Sequence, residues 1–277
     1  MQLFGPGLSD EGIASKSLSV FVSVTLWSGQ YKLLRLWLTH RRPEWCCRIV
    51  SLLHGLIATV LCCYSQLVEG PSMHGVEPGL PNNNTQLFIV KICLGYFLFD
   101  ITWCLYHQTE APIMLFHHCL SIFGMVCTVF GGKWGTELIG VIALTEISNP
   151  LLQLRWFLKT EGYSRTLLGE IVDFLFIAVF GLCRLGLGGY ALIGYLSYPN
   201  DDILGRFGAV AIFIVSIIFY YYILGYAYKK YSRMYFGSHK CNGAFHSSDK
   251  PQINGGSQVK SSVLASKSQQ NGHLKVS

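Results

Sequence analysis

Several apolar stretches of about 20 residues constrain the fold of this chain more than any other feature. A helix of that length, rising about 1.5 Å per residue, crosses the hydrocarbon core of a bilayer. Only 13% of the 277 residues are charged, which is about half the share found in a typical soluble domain. The sequence therefore predicts an all-α polytopic membrane protein.

We predict seven transmembrane helices, or six if the fifth and least apolar is not counted. The sixth is the longest and contains the glycine-rich run RLGLGGY, where we expect a kink. Without the fifth span, the basic residues that follow the seventh would face the wrong side of the membrane. The spans cover residues 17–38, 45–68, 87–107, 113–131, 135–157, 167–195 and 205–228.

Basic residues are concentrated in alternate loops. Arg41 and Arg42 follow the first span and Lys159 and Arg165 follow the fifth, whereas residues 69–86 contain no Lys or Arg. The positive-inside rule then places the amino terminus in the lumen or outside the cell and the carboxyl terminus in the cytosol. It leaves open whether the membrane is that of the endoplasmic reticulum or the plasma membrane.

The chain divides into three parts. Residues 1–41 form the lumenal amino terminus and the first transmembrane helix, and residues 42–234 form the main membrane domain. Residues 235–277 are rich in Ser, Gly, Lys, Gln and Asn, a composition that predicts a disordered cytosolic tail. In the lumenal loop, the NNT sequon makes Asn83 a predicted glycosylation acceptor.

The remaining composition restricts the partners. The net charge of +6 comes from short basic clusters beside apolar runs. Because clusters in that position set the topology of the spans, we expect no nucleic-acid partner. The ten cysteines form no CxxC pattern, and we expect neither a disulfide framework nor a metal site from them.

Ionisable side chains inside the apolar spans point to a shared site. Each costs about 2.5–3.5 kcal/mol in hydrocarbon and needs a partner or a wet cavity. Counted along the spans, they lie at similar depth in the cytosolic half of five helices. This common depth predicts a cavity open to the cytosol, with hydrogen bonding between helices as the alternative. The polar residues of the predicted cavity are His54, Tyr96, His107, Glu146, Asn149, Gln153, Asp173 and Arg184.

Two adjacent histidines, His117 and His118, interrupt the apolar run of the fourth span. Neighbours on a helix point about 100° apart, so one can act as a general base or nucleophile while the other orients it or packs. Asp100 or Glu146 is expected to hold the histidine tautomer. The candidate catalytic residues are therefore His117, His118 and Asp100, and two packed histidines are the alternative. Metal ligation is a further alternative, but ligand pairs usually follow i, i+4 spacing, so we expect no metal site.

A proline in the fifth span adds one expectation. Pro150 lies in the run TEISNPLLQLRW and has no amide hydrogen. We expect it to free a backbone carbonyl near Glu146.

Five segments in a fixed order carry a resemblance. They read RPEWCCRIVSLLHG at 42–55, LGYFLFDITWCLY at 94–106, LFHHCLSIFG at 115–124, ELIGVIALTEISNPLLQLRWFL at 137–158 and VDFLFIAVFGLCRLGLG at 172–188. Their combination resembles the TLC-domain family, the multi-span proteins grouped with TRAM, Lag-type ceramide synthases and CLN proteins. The resemblance implies that residues 42–234 form a TLC-type helical bundle with a central cavity that handles lipid.

The same resemblance leaves three functions open. In the ceramide synthase branch a double histidine serves N-acyl transfer from acyl-CoA, and His117 and His118 match that pair. That branch also has a His-Asp motif on the next span, where this chain reads LTEISNP with Glu146 and Asn149. The first function is lipid homeostasis through a cavity that binds a membrane lipid or acyl chain. The second is an acyl-CoA-dependent N-acyltransferase, and the third is a TRAM-like interaction or trafficking protein.

No resident cofactor is expected, and acyl-CoA enters only as the co-substrate of an acyltransferase. The expected partner is a membrane lipid or acyl chain, and the sequence identifies no protein partner.

Overall fold

The computed structural model describes residues 11–73, 77–199 and 202–243, with side chains as far as residue 232. Apart from isolated β-bridge positions, such as the bridge between Pro81 and Lys133, every regular element in these ranges is helical, which confirms the all-α prediction. The helices are α1 Ile13–Trp37, α2 Pro43–Tyr64, α3 Asn84–His107, α4 Pro112–Gly131, α5 Gly135–Glu146, α6 Asn149–Thr160, α7 Leu167–Phe180, α8 Gly188–Ser197 and α9 Ile203–Gly243.

Two π-helical turns extend this set. Ser65–Glu69 continues α2, and Gly181–Leu187 joins α7 to α8. The second turn contains the start of the glycine-rich run in which we expected a kink. α9 ends at Gly243, inside the segment 235–277 predicted to be disordered, and the rest of that segment lies outside the described residues.

Five of the described helical stretches are long and apolar enough to cross a membrane. They correspond to the second, third, fourth, sixth and seventh predicted spans. Their bounds are Pro43–Glu69, Asn84–His107, Pro112–Gly131, Leu167–Ser197 and Ile203–Ser232.

The first predicted span, α1, lies along α3. Ser23 Oγ and Trp27 Nε1 both donate to the carbonyl oxygen of Ile92, at 3.2 Å each, and further along the ring of Tyr31 meets Trp103. Residue numbers rise in the same direction along both helices at these contacts, so α1 and α3 are parallel. α1 therefore runs in the same direction as α3, which is long and apolar enough to span a membrane.

The fifth predicted span, 135–157, is two short helices rather than one. The chain turns at residues 147–148, between α5 and α6. The physical reason is Pro150, whose missing amide hydrogen cannot bond to the preceding turn.

Together, α5 and α6 run antiparallel to the whole of α2. At one end Gln66 Nε2 donates to the Thr136 carbonyl at 2.7 Å, and at the other end Arg41 pairs with Glu161. The pair therefore covers the length of α2, a helix that is long enough to span a membrane.

The bundle has two distinct ends. We call the end that carries Arg41, Arg42, Lys159 and Arg165 the basic end, and the end formed by residues 77–83 the opposite end. α3 is the central helix, since α1, α2, α4 and α5 all pack against it. It begins at the opposite end and finishes at the basic end.

Asn82 holds the opposite end together. Its Nδ2 donates to the Thr128 carbonyl at 2.7 Å, and its Oδ1 accepts from the Gly135 amide at 2.8 Å. One buried amide thus fixes the turn between α4 and α5 to the start of α3.

Candidate functional site

A cavity of about 600 Å³ lies among α4, α5, α8 and α9. Its walls are mostly apolar. Its volume falls in the range of sites that take small molecules, about 300–1,000 Å³. Typical wall residues are Leu120, Met125, Ile142, Ile212 and Phe213.

The inner end of the cavity is polar. His117 of α4, Glu146 of α5 and Arg184 of the second π-helical turn line it, and we call these three residues the cavity floor. Glu146 ends a helix of 12 residues that starts at the opposite end. At about 1.5 Å per residue the floor therefore lies near mid-depth of a bilayer core about 30 Å thick.

Two floor side chains carry buried nitrogens that no described protein group satisfies. Arg184 Nη2 donates to the Thr145 carbonyl at 2.6 Å. Arg184 Nε and His117 Nδ1 are buried, and among the described residues neither has a hydrogen-bond partner. Unsatisfied buried donors cost about 1–3 kcal/mol each, so the floor has polar capacity left for a ligand or water.

The cavity extends toward the opposite end of the bundle. Glu77, Trp134 and Tyr198 line it there, whereas none of its described lining residues lies at the basic end. We predicted a cavity open at the basic, cytosolic end. The polar side chains nearer the basic end bond to one another, as in the pairs of Arg155 with Asp173 and of Gln153 with Asn149, and an opening to the cytosol stays a prediction.

Asp202 ties two connections together beside this outer part of the cavity. Its carboxylate accepts from Trp134 Nε1, from the Tyr195 hydroxyl at 2.7 Å and from the Gly205 amide at 3.1 Å. Burial raises the pKa of the Asp202 carboxyl, but these hydrogen bonds outweigh burial and hold the pKa below its ordinary value of 3.8. The side chain therefore stays ionised and keeps the α4–α5 turn joined to the α8–α9 connection.

The three candidate catalytic residues separate into two places. His117 belongs to the cavity floor, whereas the ring of His118 is turned toward α3. There His118 Nε2 lies 3.1 Å from Asp100 Oδ2, and Cys47 Sγ of α2 lies 3.8 Å from Asp100 Oδ1. The structure thus brings Asp100 to one histidine of the pair and gives the other to the cavity.

Four residues predicted for the cavity form instead a polar chain between helices. His54 Nδ1 lies 3.6 Å from Glu146 Oε2, and Asn149 Nδ2 donates to that same oxygen at 2.9 Å. Gln153 Nε2 donates to Asn149 Oδ1 at 2.9 Å, and the ring of Tyr96 stacks on His54 with 3.7 Å between centroids. Of these contacts, the bond from Asn149 to Glu146 joins α6 to α5, the bond from Gln153 to Asn149 lies within α6, and His54 meets its neighbours by ring stacking and a 3.6 Å approach to Glu146. Only Glu146 reaches both the chain and the cavity.

Two more predicted cavity residues lie elsewhere. Asp173 of α7 pairs with Arg155 of α6, with 2.6 Å between Oδ1 and Nε. His107 is exposed and rests on the ring of Trp103. It is the last residue of α3, so its side chain projects at the helix end and not between helices.

Asn83 caps α3. Asn83 Oδ1 accepts from the Gln86 backbone amide at 2.7 Å, and Gln86 Oε1 accepts from the Asn83 backbone amide at 3.0 Å. This is a capping box. Its Nδ2 points to the Gly70 carbonyl at 3.4 Å, and glycosylation at Asn83 stays a prediction.

The sequence analysis did not single out three buried side chains that contact ionisable groups. Lys91 lies inside α3 and pairs with Glu11 at 2.7 Å, and its signal was a lone basic residue in an apolar span. Cys47 and Cys104 lie beside Asp100, and for them the only signal was the i, i+4 spacing of Asp100 and Cys104.

Comparisons with known proteins agree with this architecture. A family model described as the TLC domain matches residues 44–236. TLC domain-containing protein 4-B of Xenopus laevis is 26% identical over 56% of this chain and 57% of its own length. TLC domain-containing protein 2 of Homo sapiens is 27% identical over 64% of this chain and 69% of its own length, and TLC domain-containing protein 1 of Homo sapiens is 26% identical over 65% and 74%. The chain thus spans less than two thirds of the frog relative.

Proposed function

The chain belongs to the TLC domain family and is a multi-pass membrane protein, and from this premise we propose that it acts in lipid homeostasis by holding a membrane lipid in the cavity among α4, α5, α8 and α9. The lipid would enter with its polar group directed to the cavity floor. Its acyl chain would lie against the apolar walls.

One observation carries this proposal: apolar walls that end on a buried polar floor. An amphiphile fits both the walls and the floor. Its acyl chain packs against the apolar walls, and its polar end can form hydrogen bonds with unpaired groups of the floor. Arg184 Nε is a donor of this kind, His117 Nδ1 is a buried nitrogen that can donate or accept according to its tautomer, and Glu146 is already engaged with Asn149. A purely apolar ligand would leave the floor unsatisfied.

A second function, N-acyl transfer from acyl-CoA, has one observation in its favour. The contact of 3.1 Å between His118 and Asp100 is an arrangement that orients a histidine as a general base. Two features favour lipid binding over N-acyl transfer. His118 is absent from the described cavity lining, and that lining runs away from the basic end, where a cytosolic acyl-CoA would arrive.

The test is native mass spectrometry of the full chain, purified in mild detergent, with one variant that fills the cavity. Gly208 lines the cavity, and an added Cβ there meets no heavy atom within 4 Å. Gly225, on the same helix, is equally open but exposed and outside the lining. The wild type and Gly225→Leu are expected to carry a co-purifying lipid, and Gly208→Leu is expected to lose it.

The outcomes separate the candidates. A lipid retained in Gly208→Leu, or equal loss in both variants, would contradict binding in this cavity. A covalent acyl adduct on His117 or His118 would support the acyltransferase instead.

A further inference from the structure

A second site lies outside the cavity, where three helices converge near the basic end. Asp100 and Cys104 are one turn apart on α3, and His118 faces them from α4. One ligand atom of each residue lies within 4.8 Å of the other two. Cys47 of α2 stands beside them, with its Sγ 3.8 Å from Asp100. We propose that Asp100, Cys104 and His118 bind Zn²⁺, with Cys47 beside the fourth coordination position.

Burial makes these groups unusual as ordinary packing residues. Their exposed fractions are 3% for Cys47, 8% for Asp100, 4% for Cys104 and 7% for His118. A buried carboxylate needs strong partners, but a thiol is a weak hydrogen-bond donor. A metal ion would replace these weak contacts with coordinate bonds.

The charge around the cluster favours a cation. Arg48 interacts with Asp100 but also pairs with Glu110 at 2.8 Å and with Glu44 at 3.3 Å. Among these four groups, three carboxylates against one guanidinium leave two negative charges. A divalent ion offsets them.

The ligand types select zinc among the common ions. Zn²⁺ accepts sulfur, imidazole nitrogen and carboxylate oxygen in one tetrahedral site. Bonds of about 2.0–2.3 Å place its ligand atoms roughly 3.5 Å apart. The 3.1 Å between His118 and Asp100 and the 3.8 Å between Cys47 and Asp100 lie on either side of that spacing. Ca²⁺ and Mg²⁺ prefer sites made of oxygen ligands.

Binding needs a deprotonated thiol and a neutral imidazole. The thiol of Cys104 loses its proton to solvent as the Zn–S bond forms. His118 Nε2 gives up the hydrogen that it donates to Asp100, the imidazole takes up a proton at Nδ1, and the freed Nε2 lone pair forms the Zn–N bond, so the ring stays neutral. The oxidation state of the metal does not change.

The experiment measures metal content of the full chain in detergent by inductively coupled plasma mass spectrometry, after equilibration with dilute Zn²⁺ and removal of free ion. Cys104→Ala removes a ligand. Cys93→Ala is the matched control, because Cys93 is equally buried on the same helix and lies outside the cluster. About one Zn²⁺ per chain is expected for the wild type and Cys93→Ala. At least about a tenfold lower occupancy is expected for Cys104→Ala.

A measurement on the wild type keeps the proposal testable even if Cys104→Ala does not fold. Titration with Co²⁺ should produce a thiolate-to-cobalt charge-transfer band and the visible bands of a tetrahedral ion. Wild type without zinc above a matched blank, Cys104→Ala with undiminished zinc, or Co²⁺ binding without the thiolate band would each overturn the proposal. Metal content is read without any lipid, so this result is independent of the proposed lipid function.

Discussion

Gly95 permits the close approach of α1 to α3, and we predict that Gly95→Ala destabilises the protein. A Cβ at Gly95 would overlap Oγ and Cβ of Ser23 and lie 2.9 Å from the Ser23 carbonyl carbon. The side chain of Ser23 could rotate, but its backbone cannot. α1 would therefore have to move away from α3 and weaken the hydrogen bonds that Ser23 and Trp27 donate to Ile92.

The expected magnitude is the difference between two effects. Overpacking of a close-packed interior costs about 1–3 kcal/mol, whereas alanine is better than glycine inside a helix by about 1 kcal/mol. Because the overlap includes a backbone atom, the cost should fall in the upper part of its range. The net loss in the free energy of unfolding is about 1–2 kcal/mol, which lowers Tm by about 2–8 °C for a chain of this size.

The assay is thermal unfolding in detergent, followed by tryptophan fluorescence. Gly29→Ala on α1 is the control, since an added Cβ there meets nothing within 4 Å, and its Tm should stay equal or rise. Ser23→Gly should cost less in the Gly95→Ala background than in the wild type, which a double-mutant cycle measures. If Gly95→Ala is as stable as Gly29→Ala, or if the cycle shows no coupling, the packing argument is refuted.

Two further predictions follow from the amino-terminal ends of α1 and α3. Asn83→Ala should lower the free energy of unfolding by about 0.5–2 kcal/mol, because it removes the cap of α3. Asn83→Asp keeps the cap, and Asn84→Ala is a control that should have no effect because Asn84 is exposed. Denaturant titration measures all three variants. Because Asn83→Asp also removes the sequon, loss of a glycan on a gel without loss of stability would separate glycosylation from capping. The hydrogen bond from Lys91 lowers the pKa of Glu11 below its ordinary 4.5, so its contribution is present above pH 4.5 and is lost as the pH falls through the lowered pKa. Hydrogen-exchange protection factors at the start of α1 should therefore drop at acid pH in the wild type, and an equal drop in Glu11→Gln would show that this pair is not the cause.

The helices were predictable because each spanning segment needs an uninterrupted apolar run of fixed length. The sequence also contained the reason for the break in the fifth pass, since Pro150 must lose a hydrogen bond wherever it lies in a helix. We still predicted one helix over 135–157, because hydropathy averages over a window and does not register a single missing donor. Loop charge predicted that the chain crosses there.

The candidate site was less predictable, because depth along a helix does not specify rotation about its axis. His54, Asp173 and His118 were expected at similar depth, and equal depth was interpreted as a common cavity. In the structure each faces a different partner: Glu146, Arg155 and Asp100. Which neighbour a side chain meets depends on the packing of helices far apart in sequence, and no local pattern encodes that.

The contact between Arg184 and the Thr145 carbonyl has a consequence for how the binding site can change. The anchor is a main-chain oxygen, which is present whatever amino acid occupies position 145, while the Thr145 side chain itself forms part of the cavity wall. Exchange of that side chain can therefore enlarge or narrow the chamber without releasing the guanidinium. A substitution at position 145 can therefore change which ligand fits the cavity while Arg184 keeps its position.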